Sequence, residues 1–280
     1  MPLAPTGDIV AGATARRAGV GAFNVITLEH AEAIVEGAER VGQPVILQIS
    51  ENAVRFHRHR VGPLAAAARL VAELAMVPVG LHLDHVESME LLHEAPSHGF
   101  CSVMFDGSTR PYAENVSATA AAVTFGHTHG LWVESELGTV GGKDGSAHQP
   151  GARTDPAQAA AYVAATGVDA LAVAVGSSHA MVERTAALDH ELIAALRRSV
   201  GVPLVLHGSS GVPESELRRA VRGGLVKINI GTALNVAYTD AVRGALASDG
   251  RVVDPRKYLA QARDAVADVV ARALTILAAP

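Results

Sequence analysis

The chain has 280 residues, 49% of them hydrophobic, which is enough for a substantial core and ordinary for one α/β barrel. A net charge of -5 provides no basic face for nucleic acid, and the single cysteine, Cys101, rules out an intrachain disulfide and reads as a structural thiol in an apolar run. No apolar run reaches the roughly 18 residues of a membrane span, and Met1–Asp8 lacks the basic-then-apolar pattern of a leader, so a cytoplasmic protein is expected.

Short apolar runs predict strands at Gly21–Val25, Pro44–Ile49, Val77–Leu83, Gly99–Phe105, Gly130–Leu137, Val168–Val175, Val202–Leu206 and Leu225–Ile230. Near-continuous apolarity is the mark of parallel strands covered on both faces. Helical patterns fill the gaps at Leu28–Val41, Val61–Met76, Pro111–Gly126, Asp155–Thr166, Asp189–Val200, Pro213–Arg222, Asn235–Ala247 and Pro255–Ala278. Asp155-Pro156 supplies a cap and a first-turn proline for one of them. Strand and helix alternating over the whole length predict a single-domain (β/α)8 barrel spanning residues 1–280. The glycine-rich stretch 138–154 is too long for a plain connector and reads as an active-site loop.

Active sites of such barrels lie at the C-terminal strand ends. Here every end delivers polar groups: Asn24; Ser50-Glu51-Asn52; Asp84-His85; Asp106-Gly107-Ser108; Glu134 and Glu136; Ser177-Ser178-His179; His207-Gly208-Ser209-Ser210-Gly211; and Asn229-Ile230-Gly231-Thr232. His85, His179 and His207 come from three different ends. Three neutral imidazoles with one open position are the ligand set of a catalytic zinc. His82 shares a strand face with Asp84 and reads as support. His57, His59, His127 and His129 read as solvated, and His148 stays open. The small residues of Gly208–Gly211, with Asn229–Thr232 beside them, offer backbone N–H groups and a helix start to a phosphate.

Together these segments resemble the class II, zinc-dependent ketose-bisphosphate aldolases over nearly the whole chain. The likeness rests on Leu81–His85, Phe105–Ser108 with Glu114-Asn115, Glu134–Gly138, Gly141-Gly142, Val205–Gly211 and Lys227–Thr232. Gly231, where the best-known bacterial fructose enzymes carry an Asp, is more similar to the tagatose-bisphosphate branch, which also includes many fructose enzymes. The resemblance implies reversible cleavage of a ketose 1,6-bisphosphate to dihydroxyacetone phosphate and glyceraldehyde 3-phosphate. It implies zinc on His85, His179 and His207. Asp106 and Glu136 then hold a second or alternative metal position or stand behind the ligands. Asp84 exchanges a proton with the C4 hydroxyl. The backbone of Ala180, Gly208, Ser209 and Ser210, together with Asn229, Ile230, Gly231 and Thr232, binds phosphate, with a monovalent cation (Na+ or K+) nearby. Asn24 and Ser50 complete the pocket. Arg256 matches an arginine that reaches the second phosphate from a neighbouring subunit, which implies a homo-oligomer, dimer or tetramer; its alternative is a solvated helix-start residue.

The chain departs from the family pattern twice. Ala180 stands where a Gly often follows the strand-six histidine, and Gly141-Gly142-Lys143-Asp144 puts Asp144 where a loop Glu usually acts as a base. Pattern alone also keeps open a Schiff-base barrel on Lys227 or Lys143, although the histidine set argues against it. Two other classes compete: a metal-dependent hydrolase, whose two-metal forms carry a His-x-His at strand one where this chain has Asn24, and a non-catalytic partner subunit.

Overall fold

In the computed structural model, which describes residues 2–137, 153–179 and 181–278, eight parallel strands close into a barrel in sequence order. They are β1 (Val20–Asn24), β2 (Val45–Ser50), β3 (Val79–Val86), β4 (Ser102–Phe105), β5 (Trp132–Leu137), β6 (Ala170–Val173), β7 (Leu204–Leu206) and β8 (Leu225–Ile230). The described helices are α1 (Thr6–Ala15), α2 (Leu28–Val41), α3 (Glu51–Phe56), α4 (Val61–Leu74), α5 (Met89–Glu94) and α6 (Tyr112–Thr128). They continue with α7 (Pro156–Thr166), α8 (His190–Ser199), α9 (Glu214–Gly223), α10 (Thr232–Ser248) and α11 (Pro255–Ala278). None of the described helices is long and apolar enough to cross a membrane.

Each strand divides its residues between two cores, because successive side chains point to opposite faces. The outward set, such as Phe23, Leu47, Leu81, Val103 and Val133, packs against the helix ring in one continuous cluster. At the bottom of the barrel the inward set is apolar. There α1 plugs the barrel: Ile9, Val10 and Ala13 pack against Val20, Ala22, Ile46 and Val226. The sequence reading had no helix at Thr6–Ala15. Gly7 and Gly12 weaken its propensity, and its tertiary packing decides. Higher up, the inward positions turn polar. His82, Glu134 and Lys227 are all fully buried, one strand step below Asp84, Glu136 and Asn229.

Strands β2 to β7 start one to three residues later than the apolar runs suggest, β1 starts one residue earlier and β8 matches its run, while β3 is longer at its end, running through His85 to Val86. Pairing of β3 with β4 slips between Leu83 and Val86, and His85 has a φ of 50°. This β-bulge re-aims one side chain. In a regular strand Asp84 and His85 would face opposite ways; here both line the same pocket.

Candidate active site

At the C-terminal mouth of the barrel lies a cavity of about 410 Å3. Ligand nitrogens of His85, His179 and His207 lie within 4.8 Å of one another at its floor. The ring centroid of His85 is 4.7 Å from that of His207 and 5.3 Å from that of His179. Two of these rings are oriented from behind. Asp106 Oδ2 lies 2.8 Å from His85 Nδ1 and is itself fixed by the backbone N–H and hydroxyl of Ser108 donating to Oδ1. That leaves Nε2 of His85 as the nitrogen available to a ligand. Glu134 Oε1 holds His207 Nε2 at 3.0 Å, which leaves Nδ1. A carboxylate behind each imidazole sets its tautomer and raises its basicity, as in metal sites generally.

The fit to a cation shows at His207. Its Nδ1 is buried and makes no hydrogen bond, while a Glu136 carboxylate oxygen lies 3.3 Å away. Burial works to lower the pKa of His207, but Glu134 and Glu136 override it and push it up to about 9. The site therefore favours a positive charge at this nitrogen, and a metal ion can take the proton's place. Asp106 and Glu136 stand beside His85 and His207, outside the close group of three nitrogens.

Asp84 is 1% exposed, with Oδ2 3.9 Å from His85 Nε2 and Oδ1 accepting from Asn229 Nδ2 at 3.4 Å. Burial alone would raise its pKa; His85, His82 and Lys227 outweigh that and hold the carboxyl well below its usual range. His82 lies underneath, hydrogen-bonded through Nδ1 to Ser102 Oγ at 2.8 Å, and burial followed by the charge of Lys227 lowers its pKa. It does not join the group of three.

Beside the histidines, the loop after β7 and the start of α10 form the adjoining wall of the cavity. Gly208 has a φ of 65°, and a Cβ there would lie 2.5 Å from the Ser178 backbone, so only glycine lets the two loops touch. Ser209 donates its hydroxyl to the Asn229 carbonyl at 2.5 Å, and Ser210 Oγ accepts from Ala233 N at 3.1 Å, tying this loop to the start of α10. The N-cap of α10 is Gly231, which has no side chain to cap it, so the positive end of a 17-residue helix opens onto the cavity. A Cβ at Gly231 would lie 2.9 Å from the amide nitrogen of Asn24, which the missing side chain lets in. Thr232, Asn24 and Ser50 line the same cavity, and Ser50 also caps α3 by accepting from Ala53 N.

The remaining candidates fall elsewhere. Ile230 turns its side chain into the outer core, so only its backbone can serve the site. Arg256 does not line this chain's cavity; its side chain is 90% exposed at the start of α11, 2.7 Å from Asp254. Asp144, Ala180, Lys143, His148 and all of the long loop except Arg153 and Thr154 lie outside the described residues. Lys227 is fully buried, paired with Glu134 at 2.8 Å and hydrogen-bonded to Asn229 Oδ1, so it offers no free amine to the cavity as a Schiff-base lysine must. Gln48, Asn235 and Arg55 line the cavity and are not among the polar strand ends read from the sequence, whereas Ser178, which also lines it, belongs to the polar end of strand six. Gln48 precedes Ser50 by two residues on one strand, so the period-two rule could have found it.

A parallel (β/α)8 barrel carrying three clustered histidines, a buried aspartate and a helix start at one rim has the layout of a barrel enzyme with a candidate metal centre. The family model described as fructose-bisphosphate aldolase class-II matches residues 4–279. The fructose-bisphosphate aldolase of Staphylococcus aureus (strain Mu50 / ATCC 700699) is 38% identical over 272 residues, 96% of this chain and 95% of that one. The probable fructose-bisphosphate aldolase of Bacillus subtilis (strain 168) is 39% identical over the same length and shares. Among solved structures, the YdjI aldolase from Escherichia coli K12 superposes with a TM-score of 0.85 at 33% identity, covering 98% of this chain and 97% of that one. The chain belongs to the class II fructose-bisphosphate aldolase family, and it is a carbon–carbon lyase.

Proposed function

We propose that the protein cleaves a ketose 1,6-bisphosphate reversibly to dihydroxyacetone phosphate and glyceraldehyde 3-phosphate, with zinc held by His85, His179 and His207. The observation that carries this reading is the three histidine nitrogens within 4.8 Å of one another, beside a buried aspartate and in a cavity that the start of α10 also lines. Zinc, when bound, acts as a Lewis acid that offsets the negative charge an aldol cleavage develops.

The chain's own residues do the rest. Asp84, kept ionised, accepts the proton of the C4 hydroxyl as the C3–C4 bond breaks and returns it in the condensation direction. The C1 phosphate lies against the backbone of Gly208–Ser210 and the start of α10 at Gly231 and Thr232, with a monovalent cation as a further counter-charge. Asn24 and Ser50 present amide and hydroxyl groups to the sugar. Asp106 and Glu136 act from behind the histidines they touch. Asp144 is the loop base at C3, with a shorter reach than glutamate.

The second phosphate needs a cation. Arg55 is the one arginine or lysine lining the cavity among the described residues, and Glu51 engages it at 2.6 Å with Glu87 at 3.6 Å. The Arg256 side chain is 90% exposed and held by its near neighbour in sequence, Asp254, so it can be presented to a second copy. The guanidinium for the second phosphate comes from Arg256 of that copy, which makes the working unit a cytoplasmic homo-oligomer. The test is a side-by-side cleavage assay of fructose and tagatose 1,6-bisphosphate by zinc-loaded protein. Turnover of one or both is expected, and turnover of neither overturns the reading.

A further inference from the structure

Beneath the cavity floor, Lys227 is fully buried and touches both halves of the site. Its Nζ lies 2.8 Å from Glu134 Oε2 and donates to Asn229 Oδ1 at 2.8 Å. Glu134 turns its other oxygen to His207 Nε2, at 3.0 Å, and Asn229 turns Nδ2 to Asp84 Oδ1, at 3.4 Å. One ammonium thus stands behind a candidate metal ligand and behind an amide that lines the substrate cavity.

We propose that Lys227 is a positioning residue that fixes the direction of the Asn229 carboxamide. An ammonium has donors only, so the atom facing it must be an oxygen. With Oδ1 held down, Nδ2 points up, an N–H donor at the floor between Asp84 and His207. Without Lys227 a second arrangement competes. Asn229 Nδ2 lies 3.1 Å from His207 Nε2, whose hydrogen is directed at Glu134. A flipped amide would place its oxygen against that N–H group and remove the donor from the floor. It would also set an oxygen against the Asp84 carboxylate. Lys227 suppresses this flip by occupying the amide oxygen.

The burial supports a directing role over a stabilising one. A fully buried Lys–Glu pair is weak evidence for stability, because its desolvation offsets its attraction. What the pair supplies here is geometry: Glu134 directs the His207 ring and Lys227 directs the Asn229 amide. A donor fixed in a buried floor is worth far more to developing negative charge than one that can turn away.

The test compares Glu134→Gln with the double variant Glu134→Gln/Lys227→Met, both neutral at position 134. It rests on the aldolase reading only through its assay, the exchange of a C3 proton of dihydroxyacetone phosphate with solvent. Both variants are expected to fold and to bind zinc with the same affinity, measured by chelator competition. Adding Lys227→Met should lower kcat for exchange about a hundredfold and change KM by no more than about threefold. Independently of any substrate, the Asn229 side-chain amide protons, followed by NMR, should stay protected in Glu134→Gln and lose protection in the double variant. Equal kcat and equal protection in the two variants would overturn the proposal. So would a double variant that fails to fold, which would make Lys227 a core ion-pair residue. A wild-type protein with no exchange activity would instead count against the aldolase reading, and the amide protection would still decide the role of Lys227.

Discussion

A single backbone irregularity puts the two most important side chains of the site into one pocket. His85 takes a φ of 50° inside a register slip of β3 against β4, so that Asp84 and His85, neighbours in sequence, both face the cavity. Their roles are separable by substitution. Asp84→Ala removes the proton acceptor but none of the three clustered nitrogens, so zinc content should be unchanged while kcat falls about a thousandfold. Metal analysis alongside steady-state kinetics checks this, and full activity would remove Asp84 from its role. Gly208→Ala places a methyl group 2.5 Å from the Ser178 backbone at a φ of 65°. It should weaken phosphate binding by at least about 1 kcal/mol, seen as a higher KM and as weaker inhibition by inorganic phosphate.

The elements hold the site through buried polar contacts that the apolar pattern does not announce. Asn115 and Thr119 of α6, Ser135 of β5 and Tyr162 of α7 form one network, with the Tyr162 hydroxyl 2.8 Å from Asn115 Oδ1, 2.8 Å from Thr119 and 2.9 Å from Ser135. Tyr162→Phe removes the shared hydroxyl while Thr119 still donates to Asn115 Oδ1 and Ser135 to the Phe105 carbonyl. It should cost about 1 kcal/mol, read from the denaturant midpoint, with kcat nearly unchanged. The strand order and the rim were legible because apolar runs mark parallel strands and the polar residues cluster at their ends. The bulge at His85 was not, because nothing in Leu83-Asp84-His85-Val86 signals a left-handed residue. The plug α1 and the short helices α3 and α5 were also missed, since packing and the caps at Ser50 and Ser88 decide them more than periodicity does. Pattern alone leaves a Schiff base on Lys227 open, although the histidine set argues against it. A lysine two residues before Asn229 looked like a nucleophile, and only the third dimension shows Glu134 and Asn229 occupying it.

At the scale of the whole molecule, the barrel joins a cluster of three histidines, a glycine-serine loop beside a helix start and an exposed arginine outside the residues that line the mouth cavity. If Arg256 completes the site of a second copy, Arg256→Ala should raise KM for the ketose bisphosphate at least about tenfold and leave exchange of dihydroxyacetone phosphate unchanged. Equal loss in both assays would place the arginine's effect elsewhere. Metal and fold are also linked, since an ion bound only by the native state stabilises it, by about 2.7 kcal/mol at a hundred times its Kd. The proposed electron sink for carbon–carbon cleavage is a metal on His85, His179 and His207 and not an imine on Lys227. The most direct measurement is cleavage of fructose 1,6-bisphosphate after exhaustive chelation, with borohydride added to substrate-loaded enzyme in parallel. Loss of activity on chelation, recovery with zinc and indifference to borohydride are expected. Activity that survives the chelator and is destroyed by borohydride would contradict the account.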